Sequence, residues 1–263
     1  FGLTRHINLL GDALRKGGFE VTVTAVNFGS KDRKHQERQF RKREFRRKLM
    51  RWLGRGDVAE FDANIMIEHV RPIFLSMARV NLFAPHPEWC LPIDAALLKF
   101  TDGTLCMTHH AEPIFAGLGC ATQYIGFTSE DRFDPAVPRE RSFFHLAGGS
   151  INKGTELLLE TWRRHPEWPL LRVLQSPKNA KEGAPVANID RRIGYIDDAE
   201  LRQLQNASRF HICSSETEGY GHYLVGAMGV GAVVLATDAP PMHEMITPDR
   251  GIRIAWARTG EQN

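Results

Sequence analysis

The sequence lacks most features that would take it out of the ordinary globular class. No apolar run approaches the roughly 20 residues that a membrane-spanning helix needs. No charged-then-apolar leader opens it, so a cytoplasmic location is expected. Its 4 cysteines, Cys90, Cys106, Cys120 and Cys213, form no C-x-x-C pair. Reduced, buried thiols are therefore expected rather than disulfides or zinc ligands. The adjacent His109 and His110 point apart along a chain, and no metal is expected there. Internal repeats of solenoid type are absent, and the only biased tract is one basic block.

That block is the first positive feature. Residues 31–55 carry 12 Lys/Arg against 3 Asp/Glu, while the rest of the 263 residues carries 22 against 28. A mildly acidic protein thus holds one strongly basic segment, either a solvated arm or a contact for an anionic partner. Within it Phe45, Leu49, Trp52 and Leu53 recur at helical spacing, with Arg41, Lys42, Arg43, Arg46 and Arg47 around them. A helix of this kind suits an anionic lipid surface. Nucleic acid is the lesser reading, because no nucleic-acid fold accompanies the charge.

Elsewhere strands alternate with helices, which argues for parallel sheets. An amphipathic run through Ile7, Leu10 and Leu14 closes on Gly17-Gly18, and 19–26 alternates as a strand would. The usual βαβ unit would place a strand ahead of that helix, so the first strand is expected to be missing. Short strands are expected at 65–67, 80–83, 103–106 and 122–125. A Pro-containing polar stretch at 133–139 reads as a linker. This gives domains of 1–138, with a basic helical insertion at 31–55, and 139–263. In the second, strands are expected at 143–146, 171–175, 193–196, 210–213 and 233–236, with helices at 155–164 and after Asp197. The last strands and helix of a complete domain are expected to be missing.

Two glycine loops each lie between a strand and a helix: Gly148-Gly149-Ser150-Ile151-Asn152-Lys153-Gly154 and Glu216-Thr217-Glu218-Gly219-Tyr220-Gly221-His222. Free N–H groups and partial positive charge at a helix start favour phosphate. Glycine lets the backbone approach closely. Lys153 adds a point charge, and Glu218 can accept from sugar hydroxyls. Either loop alone is commonly just a turn.

Their order carries more. A strand, a loop ending Lys153-Gly154, a helix, a strand, Glu218-Gly219-Tyr220-Gly221, a helix with Ala227-Met228, a strand, and Thr237-Asp238 leading to Glu244 resembles the C-terminal domain of GT-B glycosyltransferases. The resemblance is to the large retaining family of sucrose synthase and bacterial mannosyl- and glucosyltransferases, glycosyltransferase family 4. Gly2 with Arg5-His6 resembles that family's N-terminal glycine loop. The resemblance implies an α/β protein of two Rossmann-like domains facing across a cleft. It implies donor contacts at Gly2, Gly148, Ser150, Lys153, Gly219, Tyr220, Gly221, His222 and Glu244, with Lys153, Glu218 and His86 as catalytic residues. His86 follows the strand 80–83, where open sheets bind ligands; a surface histidine in a Pro-rich turn is the equal alternative.

The sequence departs from the family at two points. Gly149 stands where the family has an arginine, and Gly226 where it has a second glutamate. Three readings stay open: Ser150, Asn152 or His222 replaces the lost contacts, the donor is unusual, or the scaffold binds without turnover. The expected activity is transfer of a hexose from UDP- or GDP-hexose to a glycan or lipid-linked hydroxyl, with retention and without a metal or other cofactor. The chain is expected in the cytoplasm, peripheral to the inner membrane face. A non-catalytic nucleotide-sugar-binding protein and a transferase acting on DNA or another polyanion are the alternatives.

Overall fold

The computed structural model describes residues 2–26, 33–53, 59–181 and 183–256. It divides into two compact units, 1–127 and 128–263.

The first unit opens with α1 (Gly2–Lys16), which Gly17-Gly18 closes with Gly18 at φ 88°. A basic helix α2 (Arg33–Trp52) follows. Then come β1 (Phe61–Ile67), α3 (Pro72–Leu75), β2 (Ala78–Ala84), α4 (Pro92–Leu97), β3 (Gly103–Cys106), α5 (Ala111–Gly117) and β4 (Thr122–Tyr124). The four strands pair in chain order, all parallel. Met66, Phe83, Cys106, Leu97 and Phe115 fill the space between this sheet and its helices. Phe40 joins that core and meets Phe100 edge-on at 5.1 Å.

The alternating stretch 19–26 is not a strand. Alternation makes a strand only where a sheet edge receives it, and among the described residues β1 to β4 pair only with one another. Phe19 and Val23 accordingly stay exposed.

The second unit runs β5 (Glu140–Gly148), α6 (Thr155–Arg164), β6 (Leu171–Gln175), β7 (Ile189–Ile193), α7 (Asp198–Ala207), β8 (Ser208–Cys213), α8 (His222–Gly229), β9 (Val233–Thr237), α9 (Met242–Met245) and β10 (Gly251–Ile254). Its sheet is ordered β10-β9-β8-β5-β6-β7, and every pair is parallel. Counted from its own first strand that is 3-2-1-4-5-6, the doubly wound Rossmann order. The order reverses between β5 and β8, and ligands of such sheets sit beyond the strand ends at that point.

Leu159 and Leu171 are fully buried between α6 and the sheet. Each contributes roughly 1.5–3 kcal/mol of apolar burial. Asp197 caps α7 by accepting from the Glu200 N–H at 2.8 Å, as the acidic run at that point predicts.

Three expectations shift here. The strand expected at 193–196 is β7, four residues earlier, with Gly194 and Tyr195 already in the following turn. Half-buried Asp190, Arg191 and Arg192 break the apolar pattern of this edge strand. A sixth strand, β10, was not foreseen; its Ile252 and Ile254 are exposed, so it lacks a core signature. The stretch 133–139 is fastened to the second unit rather than loose. Arg132 grips both Asp198 carboxylate oxygens at 2.9 and 3.0 Å, the Asp134 N–H donates to Asn206, and Arg139 donates to the carbonyls of Val230 and Gly231.

Candidate functional site

Strands β5, β8 and β9 are neighbours and parallel, so their following loops leave the same edge of the sheet. Those loops hold the motifs: 148–154 after β5, 214–221 after β8, and 238–244 after β9. The structure brings Gly148, Ser150, Lys153, Gly219, Tyr220, Gly221, His222 and Glu244 to one rim.

The first two loops are stitched together. Ser214 Oγ donates to the Lys153 carbonyl at 3.0 Å, and the Glu216 N–H donates to the Asn152 carbonyl at 2.9 Å. Gly154 makes the approach feasible. It sits at φ 63°, and a Cβ there would lie 2.4 Å from the Ser214 carbonyl oxygen. Gly221 opens α8 at φ 86°, against Leu224 and against Met245 of α9. Helix α9, into which the third loop leads, thus comes close to the end of the second loop. Ser150 Oγ accepts from the Asn152 N–H at 3.2 Å and shapes the first loop from within.

At the junction Lys153 Nζ donates to Glu218 Oε1 at 2.5 Å, and both side chains are largely buried. Ser215 Oγ donates to the same oxygen at 2.5 Å. Because that hydroxyl proton is committed to the carboxylate, the Tyr223 hydroxyl must be the donor in its bond to Ser215 Oγ. The Lys153 ammonium also lies over the Tyr223 ring, 3.6 Å from its centroid. Burial, then Cys213 and Glu218, push the Tyr223 phenol up, which keeps it protonated as the donor this chain requires. Lys153 and Glu218, expected to face a donor separately, thus form one satisfied ion pair. Tyr220 is buried and meets the His222 ring edge-on at 5.1 Å.

Sequence reasoning missed what holds the first loop. His145 in β5 is fully buried. Its Nδ1 lies 2.8 Å from the Ile212 carbonyl of β8, and its Nε2 lies 2.9 Å from Thr155 Oγ1 at the start of α6. A carbonyl only accepts, so Nδ1 carries the proton and Thr155 donates to Nε2. Burial pushes this histidine down to about 4, so the ring stays neutral. One ring ties the two switch-point strands to the start of α6. A histidine inside an apolar strand just before a glycine loop was the available signal. The roles of Ser214, Ser215 and Tyr223 left none.

The two departures from the family are open positions. A Cβ at Gly149 would meet only Ser176 Cβ, at 3.8 Å, and one at Gly226 only Ser129 Oγ, also at 3.8 Å. A hollow of about 470 Å³ lies away from this rim, against β7, and is lined by Arg163, Lys181, Ile189, Arg191 and Ile193.

In the first unit, Gly2 is the first residue of α1. His86 follows β2, as expected, and is half-buried rather than a surface turn residue. Its Nε2 lies 3.2 Å from Nδ1 of the fully buried His6, and the two rings stack 5.4 Å apart. Burial, with His69 nearby, pushes His86 down to about 4. His109 lies 2.7 Å from Glu112 and stacks on Tyr124. Among the described residues no group of three or more His, Cys, Asp or Glu is arranged to hold a metal. The four thiols are free, and burial pushes Cys106 up to about 11.

On α2, Arg41, Lys42, Arg43 and Arg46 are exposed, as are Phe45 (71%), Leu49 and Trp52 (81%). The side chain of Arg47 lies outside the described residues. Among the described residues of this helix only Phe40 is seated in the core, and the apolar residues at 45, 49 and 52 face solvent. Among the described residues no helix is long and apolar enough to cross a membrane.

Neither a protein-family model nor a curated protein sequence matches the chain. Solved structures do. Sucrose-phosphate synthase from Thermosynechococcus elongatus is similar with a TM-score of 0.60 and 13% identity, over 95% of this chain and 79% of that one. The pneumococcal O-GlcNAc transferase GtfA, solved with UDP and GlcNAc, gives 0.58 and 14%, over 82% and 49%. The lipopolysaccharide outer core galactosyltransferase WaaB gives 0.55 and 14%, over 82% and 66%. The chain spans about half the length of GtfA and of the matched chain of the GtfA/B complex. These likenesses establish the fold: two parallel α/β units of the GT-B glycosyltransferase type.

Proposed function

We propose that the protein is a nucleotide-sugar-dependent hexosyltransferase that works with retention and needs no metal. The observation that carries this is the convergence of three loops on one rim of a Rossmann sheet, with Lys153 and Glu218 paired at their junction. The backbone of the α6 start and the Lys153 ammonium suit a diphosphate, and Glu218 suits sugar hydroxyls. Transfer leaves charge on the departing diphosphate, and preorganised positive groups there lower the barrier most. Lys153 would turn from Glu218 to the diphosphate as the donor enters. UDP- or GDP-hexose is the donor class. A nucleoside diphosphate should then raise the melting temperature, and a screen of nucleotide sugars should release diphosphate from one of them. No stabilisation by UDP or GDP, and no release across the panel, would refute the reading.

A second reading, a binding scaffold without turnover, is favoured by Gly149 and Gly226, which stand where the family it resembles has an arginine and a glutamate, and around which the structure leaves room. A charge-assisted hydrogen bond contributes about 1.5–3 kcal/mol. Thermal stabilisation by UDP or GDP without diphosphate release, and activity appearing in the Gly149→Arg/Gly226→Glu variant, would establish it.

The acceptor we infer is a glycan or lipid-linked hydroxyl met at an anionic membrane surface. The solvent-facing stripe of Phe45, Leu49 and Trp52 on a helix dense in arginine supports this. Such a chain would work in the cytoplasm, on the inner face of the membrane. Binding to vesicles containing anionic lipid, weakened by salt and by Trp52→Ala, is expected; equal binding to neutral vesicles would refute it. Retention at low salt by duplex DNA in place of vesicles would instead favour a polyanion acceptor.

A further inference from the structure

The second unit departs from the doubly wound plan between β6 and β7. Parallel neighbours are joined by a crossover that usually carries a helix, and that helix covers the sheet. Here the crossover is 176–188, and its described residues hold turns but no helix. Ile189, Arg191 and Ile193 alternate along β7 and so share one face of the sheet. With no helix laid over that face, these residues, the end of α6 and the crossover enclose the hollow of about 470 Å³.

Its walls are of two kinds. Val186, Ile189 and Ile193 make an apolar side. Arg163, Lys181 and Arg191 bring three cations, and no acidic side chain is among the described residues that line the hollow. Arg191 is already engaged by the protein. Its Nε and Nη2 donate to Gln175 Oε1 at 3.1 and 2.6 Å, and Nη2 donates to Glu156 Oε1 at 3.3 Å. Its Nη1 donates to the Lys181 carbonyl at 2.6 Å, which pins the crossover to the strand. The side chains of Arg163 and Lys181 have no such partners among the described residues. Arg163 Nε is shut off from solvent and meets no acceptor there. A buried donor left unmatched costs stability, and an arginine fork unclaimed by its own protein is suited to an oxyanion. Gly183 passes against this guanidinium, and a Cβ there would collide with Nη2. The place of Arg163 thus depends on residue 183 having no side chain.

We propose that this hollow binds a small organic phosphate, a phosphate monoester with a compact apolar body. The phosphate lies between Arg163 and Lys181, and the body lies on Val186, Ile189 and Ile193. A phosphate monoester carries about −1.5 to −2 charge near pH 7 and so matches two unpaired cations. A carboxylate of the same shape carries one charge, and inorganic phosphate leaves the apolar side uncovered. The volume is in the range that small-molecule sites occupy. The site is separate from the three-loop rim. Thr155 starts α6 beside the loop 148–154, whereas Arg163 stands in its last turn, about 12 Å further along the axis. The proposal does not rest on the donor reading.

The experiment is calorimetry on the full chain with phenyl phosphate as the probe. One-to-one binding is expected. Arg163→Met and Lys181→Met should each weaken it by about tenfold or more, the loss of one charge-assisted hydrogen bond. Lys181 is exposed, so its replacement tests the site without disturbing packing. Gly183→Val should weaken binding by about as much with every charge kept, because the new side chain displaces the guanidinium. Benzoate and inorganic phosphate should each bind about tenfold more weakly than the probe. Lys153→Ala should leave the Kd within about twofold. Four results overturn the proposal. One is no heat of binding up to about 10 mM probe. Another is a Kd that Arg163→Met and Lys181→Met both leave within about twofold. A third is benzoate or inorganic phosphate binding as tightly as the probe. The last is binding that Lys153→Ala abolishes, which would put the probe at the three-loop rim. Absence of stabilisation by UDP or GDP would overturn the donor reading and leave this one standing.

Discussion

The second unit builds its rim from backbone: glycines at positive φ, carbonyls accepting from a neighbouring loop, and one ion pair at the junction. The first unit builds its rim from rings: His6 on His86, His69 on Asp94, His109 on Tyr124. A backbone rim is rigid and suited to a ligand whose shape and charge are fixed, such as a diphosphate. A rim of imidazoles is suited to moving protons and meeting hydroxyls. The two rims thus differ in rigidity and in chemistry, and each prediction below can break that contrast.

Acid should produce the largest effect. His145 and His211 in the second unit and His86 in the first are each pushed down to about 4 by burial. The unfolded chain, with its histidines near 6.5, takes up protons before the folded one does. Stability is therefore complete above 6.5 and falls as pH drops toward 4. At pH 4 the loss is about 3 kcal/mol for each of the fully buried His145 and His211. Urea melts at pH 7, 5.5 and 4.5 should show the second unit weakening more than the first. Equal weakening would erase the contrast.

Next comes the ion pair. Lys153→Ala and Glu218→Ala should each lower diphosphate release by about a hundredfold or more. Each should also destabilise by about 3 kcal/mol, because the partner charge is left largely buried and unpaired. The double variant should be more stable than the sum of the singles implies. Full activity in both single variants would end the site assignment. Smaller still, Gly154→Ala should cost about 2–3 kcal/mol in a denaturant melt, since positive φ and the Ser214 carbonyl both oppose a Cβ. Gly148→Ala, with open space around it, should cost only about 1 kcal/mol. The smallest change in stability belongs to Gly149→Arg, which should leave the melting temperature nearly unaltered. It should tighten binding of UDP or GDP by about tenfold in calorimetry, restoring one charged hydrogen bond.

What could be read from the sequence follows from how local each signal is. Strands β3 and β6 and helix α6 fall where apolar period and flanking turns place them, because burial on a sheet and a glycine start are local properties. The three loops of the second unit's rim were legible because their order along the chain mirrors the order of β5, β8 and β9. Residues 19–26 misled because alternation records only what a strand could bury, and not whether an edge exists to receive it. β7 was misplaced because its Asp and Arg residues hide an edge strand. His145 with Thr155, and His69 with Asp94, were out of reach, since each joins residues that only the fold makes neighbours.

The Lys153–Glu218 pair has one further consequence. With its lysine cancelled by a carboxylate, the proposed donor site would present little net field to the surrounding solution. It would neither collect stray phosphate nor draw its ligand from a distance. Donor capture would depend on exchange at contact, and its rate would change little with ionic strength. On α2 basic residues far outnumber acidic ones, so the helix as a whole keeps a positive field. Salt would then act as a dial on the field around α2 and leave that around the Lys153–Glu218 pair almost unmoved.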